Sequence, residues 1–377
     1  MRSGIKRACC AAGLLTAALG LNAIDLGRGF WLGAVVRAGG AFETNKEGDG
    51  YTSGKTWEFT DGDPKFELEI KQDGAYGAVF WFNQWTGSGA SGRLWLNLGR
   101  FNISAGGMDG FKVDRVQELY TGSFNGIEAA YSPVDGLRFS VSLPAFEYYE
   151  DNRPASYYAL ENMVSESTLG VTYWHKWFNV KFGLRFNDTD NAPDAYSLKD
   201  TTTMRCVWEL GLGNVPRLDL AMNGEAFRMN DPLRASANFH FKALYTITEV
   251  FRAGAYVNYS LAGTGKAWSG AGDWDYDARS DVQVLPWLEV RPWRPFVWTF
   301  ETGPKLSFFE GWAARGLIAG DPHFLEWSVK TTLEYAFNDK VRAFARYEMW
   351  HRFPYAETGL SGIDQHKFYL WAVFFYQ

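Results

Sequence analysis

The chain has 377 residues, of which 43 are acidic and 37 are basic, so its formal net charge is −6. This mildly acidic balance offers no basic stripe that could neutralise phosphates, and it excludes nucleic acid as a partner. Aromatic residues make up 17% of the chain and glycine occurs 40 times. Ordinary globular domains do not combine these features, which favour a β protein that lies in a membrane or binds sugars.

The first segment, residues 1–23, has the layout of a secretory signal peptide. A basic stretch that ends at Arg7 precedes an apolar stretch through Leu21 and a small residue at Ala23. We expect cleavage at or near Ala23, with an uncleaved anchor helix as the alternative. No proline- or serine-rich linker divides the rest, so residues 24–377 are predicted to form one domain.

Cysteine usage restricts the chemistry of the mature chain. Cys9 and Cys10 leave with the signal peptide, which makes Cys206 the single mature cysteine. A disulfide framework within the chain and a multi-cysteine metal site are thereby excluded. Cys206 lies in a strand-like run, so we interpret it as a small apolar residue on a strand face.

Apolar and polar residues alternate with a period of two along the mature chain. This spacing predicts β-strands with one apolar, often aromatic, face and one polar face. The clearest segments are KFELEIK (65–71), GLRFSVSLP (136–144), NVKFGLRF (179–186), PRLDLAMNGE (216–225) and EWSVKTTLEYAF (326–337). Beyond residue 23 no apolar run reaches about 18 residues, so a membrane crossing would have to use strands.

The links between these segments separate two kinds of β fold. A soluble sandwich also alternates, because its inner faces are apolar. Here the links are short and long by turns, and the strands have about the ten residues that a tilted crossing requires. The sequence therefore predicts an all-β fold, a transmembrane antiparallel β-barrel of about 18 strands, or about 16, with short periplasmic turns and long external loops.

The chain ends with HKFYLWAVFFYQ, residues 366–377. This stretch resembles the aromatic-rich last strand of bacterial outer-membrane barrels, although here Gln377 follows the terminal aromatic. With the signal peptide and the strand pattern, the chain resembles a porin-type β-barrel at the superfamily level. The resemblance implies a location in the bacterial outer membrane and contact with its lipid. It also implies recognition of the last strand by the barrel-assembly machinery, and a homotrimer is possible.

Closure of the sheet follows from the hydrocarbon surroundings, where an unpaired backbone group costs several kcal/mol. The first strand, GFWLGAVVRAGGAF (29–42), is therefore expected to pair with the last. A ring of about 18 strands is too wide for its own side chains to fill, so an aqueous lumen is expected. The aromatic link 144–165 is the candidate for a loop folded into the pore, or alternatively for a cap on the external mouth.

The polar face of the strands carries the predicted function, an outer-membrane channel for small hydrophilic solutes. Acidic and basic residues roughly balance there, so no strong ion selectivity is expected, and many of these charges could simply pair with one another. The predicted pore-lining residues are Arg93, Glu128, Arg138, Lys181, Arg185, Arg217, Asp219, Glu225, Arg252, Lys330, Arg342 and Arg346.

Two alternative functions stay open. Trp95, Trp174, Tyr256 and Trp287 fall on the polar register, where aromatic rings could stack on sugars in a sugar-selective uptake channel, although such residues also mark interfacial girdles. Alternatively, the barrel could be an anchor whose external loops bind ligands or surfaces.

No enzyme is predicted, and no catalytic, metal or cofactor residue. His351 and His366 flank the last long link, near Asp364 and Glu357, where a surface protease could hold an acid–base pair. No nucleophile-elbow or metal-ligand spacing accompanies them, so solvent-exposed histidines are the preferred interpretation.

Overall fold

The computed structural model consists of antiparallel β-strands, and no helix occurs in its described part. The described residues are 24–27, 30–47, 50–56, 65–72, 74–83, 90–108, 110–122, 124–144, 167–186, 203–213, 215–230, 233–264, 279–309, 323–353 and 362–376. The predicted signal peptide and its cleavage site lie outside these ranges and stay predictions.

Twenty-two strands occur in the described ranges. They are β1 (Ile24–Gly27), β2 (Phe30–Glu47), β3 (Gly50–Thr56), β4 (Lys65–Gln72), β5 (Tyr76–Asn83), β6 (Ala90–Leu98), β7 (Phe101–Met108), β8 (Lys112–Val113), β9 (Leu119–Tyr120), β10 (Phe124–Val134) and β11 (Leu137–Leu143). They continue with β12 (Thr168–Trp174), β13 (Phe178–Phe186), β14 (Thr203–Leu212), β15 (Leu218–Asn230), β16 (Leu233–Thr246), β17 (Phe251–Thr264), β18 (Arg279–Trp293), β19 (Phe296–Phe309), β20 (His323–Asn338), β21 (Val341–Arg352) and β22 (Ile363–Tyr376).

The sheet returns to its first long strand. One edge of β2 pairs with β22 from Ala34↔Tyr376 to Glu47↔Ile363. The other edge pairs with β4 near the start of β2 and with β3 near its end, so β3 and β4 occupy one strand position. β1 pairs with the start of β2 on the edge opposite β4, so it shares the strand position of β22. Apart from the small β8–β9 hairpin, the strands fill 18 positions, and the predicted pairing of first and last strand is confirmed.

The connections alternate between a short-turn end and a long-link end. Two-residue turns at 99–100, 135–136, 294–295 and 339–340 join consecutive strands, in agreement with the predicted alternation of short and long links. Gly99 and Gly136 have φ values of 61° and 83°, a region that a residue with a Cβ rarely adopts. At the other end the links are mostly longer, and most of their residues lie outside the described ranges.

The two faces of the sheet have opposite chemistry. Large apolar side chains of one face are exposed, including Leu370 at 53% and Phe182 at 45%. Polar side chains of the other face are buried, with Arg185 and Asn223 at 0% and Glu326 at 2%. Water would disfavour so much exposed apolar surface, whereas hydrocarbon covers it without cost. We name these surfaces the apolar face and the polar face.

The polar face is held together by hydrogen bonds between neighbouring strands. Direct cross-strand pairs align one row of ten residues on β12–β21: Thr172, Lys181, Glu209, Asn223, His240, Asn258, Gln283, Lys305, Glu326 and Arg352. Within the row, His240 Nδ1 lies 2.8 Å from Asn258 Oδ1, and Asn258 Nδ2 donates to Gln283 Oε1 at 3.1 Å. Such contacts satisfy groups that a dry core would leave unpaired.

Candidate functional site

One connection at the long-link end folds back onto the polar face. β7 and β10 pair directly from Phe101↔Tyr131 to Met108↔Phe124, so the chain between them is not needed as a strand of the wall. Residues 110–122, named the docked segment, instead form the β8–β9 hairpin and lie on the polar face of β12–β16. Within the hairpin, Thr121 N donates to Phe111 O at 3.0 Å, and Phe111 N donates to Thr121 Oγ1 at 2.9 Å.

A small apolar cluster anchors the docked segment. Val113 and Leu119 are 0% and 8% exposed, and with Phe111 they pack against Val207 of the wall, which is 0% exposed. The ring of Phe111 occupies space that two wall glycines leave open. A Cβ at Gly170 or Gly183 would overlap that ring. Glycine at these wall positions therefore makes the groove that receives Phe111.

Arg115 contacts the wall nearer to its short-turn end. Its guanidinium donates to Asn179 Oδ1 and, at 2.6 Å, to the carbonyl of Leu212, the last residue of β14. Gly211 leaves room for this side chain, since a Cβ there would lie 2.5 Å from Arg115 Nη1. The carbonyl of Arg115 accepts a 2.8 Å hydrogen bond from Lys242 Nζ. The docked segment thus reaches almost to the turn that follows β14.

Glu209 fixes the backbone of the docked segment. Its Oε2 accepts hydrogen bonds from the backbone N–H groups of Asp114 and Arg115, each at 2.9 Å. Its Oε1 accepts from Asn179 Nδ2 at 2.8 Å and lies 3.3 Å from Lys181 Nζ. The side chain is only 1% exposed. A buried carboxylate is tolerated because four donors surround it.

The charges beneath the docked segment balance. Lys181 Nζ also lies 2.9 Å from Asp114 Oδ1. Asp219 pairs with Lys242 at 2.9 Å and with Arg115 at 3.4 Å. Together with Glu209 this makes three carboxylates and three cations, so the docking interface carries no net charge. Its charged groups hold the segment against the wall.

The surface of the docked segment that faces away from the wall is more open. Lys112 and Glu118 form a 2.8 Å ion pair with side chains 38% and 54% exposed. Asp114 is 50% exposed although it contacts Lys181. These groups border the space that the ring encloses.

The structure places most of the predicted pore-lining residues on the polar face, each in an ion pair. The pairs outside the docking interface are Arg138–Glu128 (3.2 Å), Arg252–Glu289 (3.3 Å), Lys330–Glu301 (3.7 Å), Arg342–Glu334 (3.2 Å) and Arg346–Glu348 (3.6 Å). Of the predicted set, Lys181 and Asp219 form ion pairs with the docked segment. These distances show that the wall charges pair with one another, an alternative that the sequence left open.

Four predicted residues have other surroundings. Glu225 accepts a 2.7 Å hydrogen bond from Asn238 Nδ2, Arg185 is fully buried, and Arg93 is exposed on β6. Arg217 was predicted within a strand of the wall, but it lies in the turn before β15 with a φ of 64° and is exposed. That placement follows from Pro216, which has no N–H to donate to a ladder and starts a turn. A contribution of these residues to a pore stays a prediction.

The aromatic residues on the polar register separate into two groups. Tyr256 and Trp287 meet edge to face with ring centroids 6.4 Å apart, and the Arg252 guanidinium lies 5.7 Å from the Trp287 ring. Trp174 ends β12 and is 49% exposed, which fits an interfacial position. Trp95 is half-buried on β6.

His351 and His366 do not meet the docked segment. His351 lies directly opposite Trp327, which is 38% exposed on the apolar face, and its Nδ1 contacts the carboxylate of Asp364. His366 Nδ1 lies 2.8 Å from the hydroxyl of Tyr347. Among the described residues no cluster of histidine, cysteine and carboxylates could hold a metal ion.

Sequence reasoning missed the docked segment. The link chosen as a loop within the pore, 144–165, lies outside the described residues from position 145 onward, so that prediction stays untested. No role was predicted for residues 110–122, where the apolar residues of VDRVQEL (113–119) recur at every third position. The available signal was the pair Gly170 and Gly183, since glycine on the polar face of two successive predicted strands indicates that another part of the chain approaches the wall.

Comparisons with known proteins agree with this architecture. No protein-family model and no curated protein sequence matches the chain. Among solved structures, it is similar to OpdL of Pseudomonas aeruginosa, with a TM-score of 0.53 and 12% identity over 92% of this chain and 99% of that one. It is also similar to OpdQ of the same species, with a TM-score of 0.53 and 10% identity over 91% and 98% of the two chains. An anion-selective porin from Comamonas acidovorans matches at a TM-score of 0.51 and 9% identity over 92% and 99%.

At these identities the likeness concerns the fold. It confirms the predicted fold, an antiparallel β-barrel like that of these porins. The solute and the pore residues of this chain must be argued from its own side chains.

Proposed function

We propose that the chain is a channel for small hydrophilic solutes in the bacterial outer membrane, with the polar face lining an aqueous lumen. The observation that carries the proposal is the docked segment. A ring that served only as an anchor would need no segment held across its polar face by Phe111, Arg115 and Glu209. In a channel, the same segment narrows the passage.

The width of the ring supports a passage. Eighteen strand positions spaced about 4.8 Å apart give a circumference of about 85 Å and a diameter of about 27 Å, and tilting of the strands widens it further. A two-stranded hairpin with its side chains occupies only about 10 Å of that width. The docked segment therefore constricts the lumen but leaves room for water and small solutes.

The charge pattern supports weak ion selectivity. Five of the cations that were predicted to line the pore lie within 3.7 Å of carboxylates outside the docking interface: Arg138, Arg252, Lys330, Arg342 and Arg346. Paired charges cancel at a distance of more than about one Debye length, roughly 8 to 10 Å. A sizeable preference for anions or cations is therefore not expected.

Swelling of proteoliposomes tests the proposal. Vesicles with the refolded protein should swell in isosmotic solutions of small neutral solutes, and the rate should fall steeply as solute size increases. Shortening residues 110–122 to a few glycines should admit larger solutes. Failure of the wild-type protein to admit even glycerol, with its strands formed by circular dichroism, would contradict the proposal.

A sugar-selective channel is the second candidate, and the Tyr256–Trp287 pair favours it. Aromatic faces in a lumen can stack on sugar rings, but Arg252 already lies over Trp287. Block of the conductance by sugars, lost on Trp287→Ala, would support this candidate. The remaining alternative, an anchor with adhesive loops, draws on links that lie mostly outside the described residues.

We also propose that β22, which closes the ring against β2, is the strand that the barrel-assembly machinery recognises. Its support is the aromatic content of the strand, including Phe368 and Trp371. A homotrimer is a further prediction, and chemical cross-linking in native membranes tests it.

A further inference from the structure

Five charged residues of alternating sign follow one another across the wall. Direct cross-strand pairs join Glu301 to Lys330, Lys330 to Glu348, Glu348 to Lys367 and Lys367 to Glu43. They occupy five neighbouring strand positions, β19 to β22 and then β2, and we name them the charge ladder. Directly opposite side chains in a sheet are about 5 Å apart at Cβ, so Lys330, Glu348 and Lys367 each have an opposite charge on either side.

The ion pairs between members of the charge ladder are long. Lys330 Nζ lies 3.7 Å from Glu301 Oε1, and Lys367 Nζ lies 3.4 Å from Glu43 Oε1. Glu348 accepts a 3.3 Å hydrogen bond from the Tyr369 hydroxyl and lies 3.6 Å from Arg346. With Arg346 included, the ladder has three acids and three bases and no net charge.

Exposure distinguishes the charge ladder from the docking interface. Lys330 and Lys367 are 41% and 32% exposed, and their partners Glu301 and Glu43 are 24% and 35% exposed. In the docking interface Glu209 is only 1% exposed. Exposed ion pairs contribute about 0 to 1 kcal/mol, so a solute can exchange them, whereas buried pairs are fixed.

Where a solute can replace the ion pairs of the wall, the row of alternating charges favours solutes whose own charges match its signs. A zwitterion such as an α-amino acid brings an ammonium group for a glutamate and a carboxylate for the neighbouring lysine, so both wall charges keep a partner. A solute with a single charge pairs with only one member of a wall ion pair and leaves the other member without a partner. A neutral solute supplies no charge for either member. We propose that the charge ladder is a binding track for zwitterionic α-amino acids. The inference rests on the proposed channel, since the solute must reach the polar face.

Size-matched solutes test it. Alanine, lactamide and sodium lactate have nearly the same size and are respectively zwitterionic, neutral and anionic. Swelling of proteoliposomes should be several-fold faster with alanine than with lactamide. The triple variant Lys330→Met, Glu348→Gln, Lys367→Met should lose that advantage and keep the lactamide rate. The matched control Glu334→Gln, Arg342→Met removes another exposed pair of the polar face and should keep the alanine advantage.

The outcomes separate the two proposals. No swelling with any of the three solutes would contradict the channel itself. Swelling with lactamide, but equal rates for alanine and lactamide in the wild type or an unchanged ratio in the triple variant, would overturn the charge ladder and leave the channel standing. A second measurement needs no variant: about 1 M KCl on both sides of the membrane shortens the Debye length to about 3 Å and should reduce the alanine advantage.

Discussion

Gly170 of β12 and Gly183 of β13 lie directly opposite each other, and the ring of Phe111 covers both. Because the glycines have no side chains, the wall has a shallow groove at this place. The docked segment is therefore specified from two sides, by an aromatic residue in the segment and by its receiving surface in the wall.

Gly183→Val should displace the docked segment. The added side chain would occupy the space of the Phe111 ring, and the cluster with Val113 and Val207 would lose its contacts. We expect a larger single-channel conductance in planar bilayers with unchanged strand content. Gly213→Ala is the control, since a Cβ there would meet its nearest neighbour at 3.4 Å, an ordinary contact. An unchanged conductance in Gly183→Val would show that the segment does not narrow the passage.

Glu209→Gln should loosen the same segment from the opposite side of the interface. The variant removes a carboxylate that pairs with the Lys181 ammonium. It also removes the negative charge that accepts hydrogen bonds from two backbone N–H groups of the segment. Breaking a buried pair typically costs about 3 to 5 kcal/mol. Trypsin should then cleave after Lys112 or Arg115 in folded protein. Glu334→Gln, which removes a carboxylate partner of Arg342 that is 27% exposed, should stay as resistant as the wild type.

The assignment of the two faces predicts an asymmetric response to charge on β20. Leu333 is 42% exposed on the apolar face, and its neighbour Thr332 lies on the polar face. An arginine in hydrocarbon costs about 2 to 4 kcal/mol near the bilayer midplane. Leu333→Arg should therefore lower the free energy of unfolding in lipid vesicles by up to this amount, while Thr332→Arg changes it much less. Equal losses would contradict the assignment.

Closure of the ring predicts a cross-link between distant parts of the sequence. Phe42 of β2 lies directly opposite Phe368 of β22, and both are exposed on the apolar face. In a Cys206→Ser background, Phe42→Cys with Phe368→Cys should form a disulfide on oxidation and change the electrophoretic mobility. Phe42→Cys with Leu333→Cys, which places the second thiol two strands farther along the same face, should not.

The barrel was predictable because its determinants are local. The alternation in 326–337 sets which side chains of β20 meet hydrocarbon, and the turns at 99–100 and 135–136 follow from glycine at positive φ. The pairing of β2 with β22 follows from the requirement that no strand edge faces lipid. None of these arguments needs information about distant contacts.

The docked segment depends on contacts that no local pattern contains. Phe111 meets Gly183 across 72 residues, and Asp114 meets Lys181 and Glu209 on two different strands. The charge ladder was equally hidden, because Lys367 and Glu43 become neighbours only when the ring closes.

Single-channel recording in planar bilayers tests the central claim most directly. The refolded protein should produce discrete conductance steps, and a variant with residues 110–122 shortened should produce larger ones. Folded protein that inserts without any steps, or equal steps in both proteins, would contradict a lumen narrowed by the docked segment.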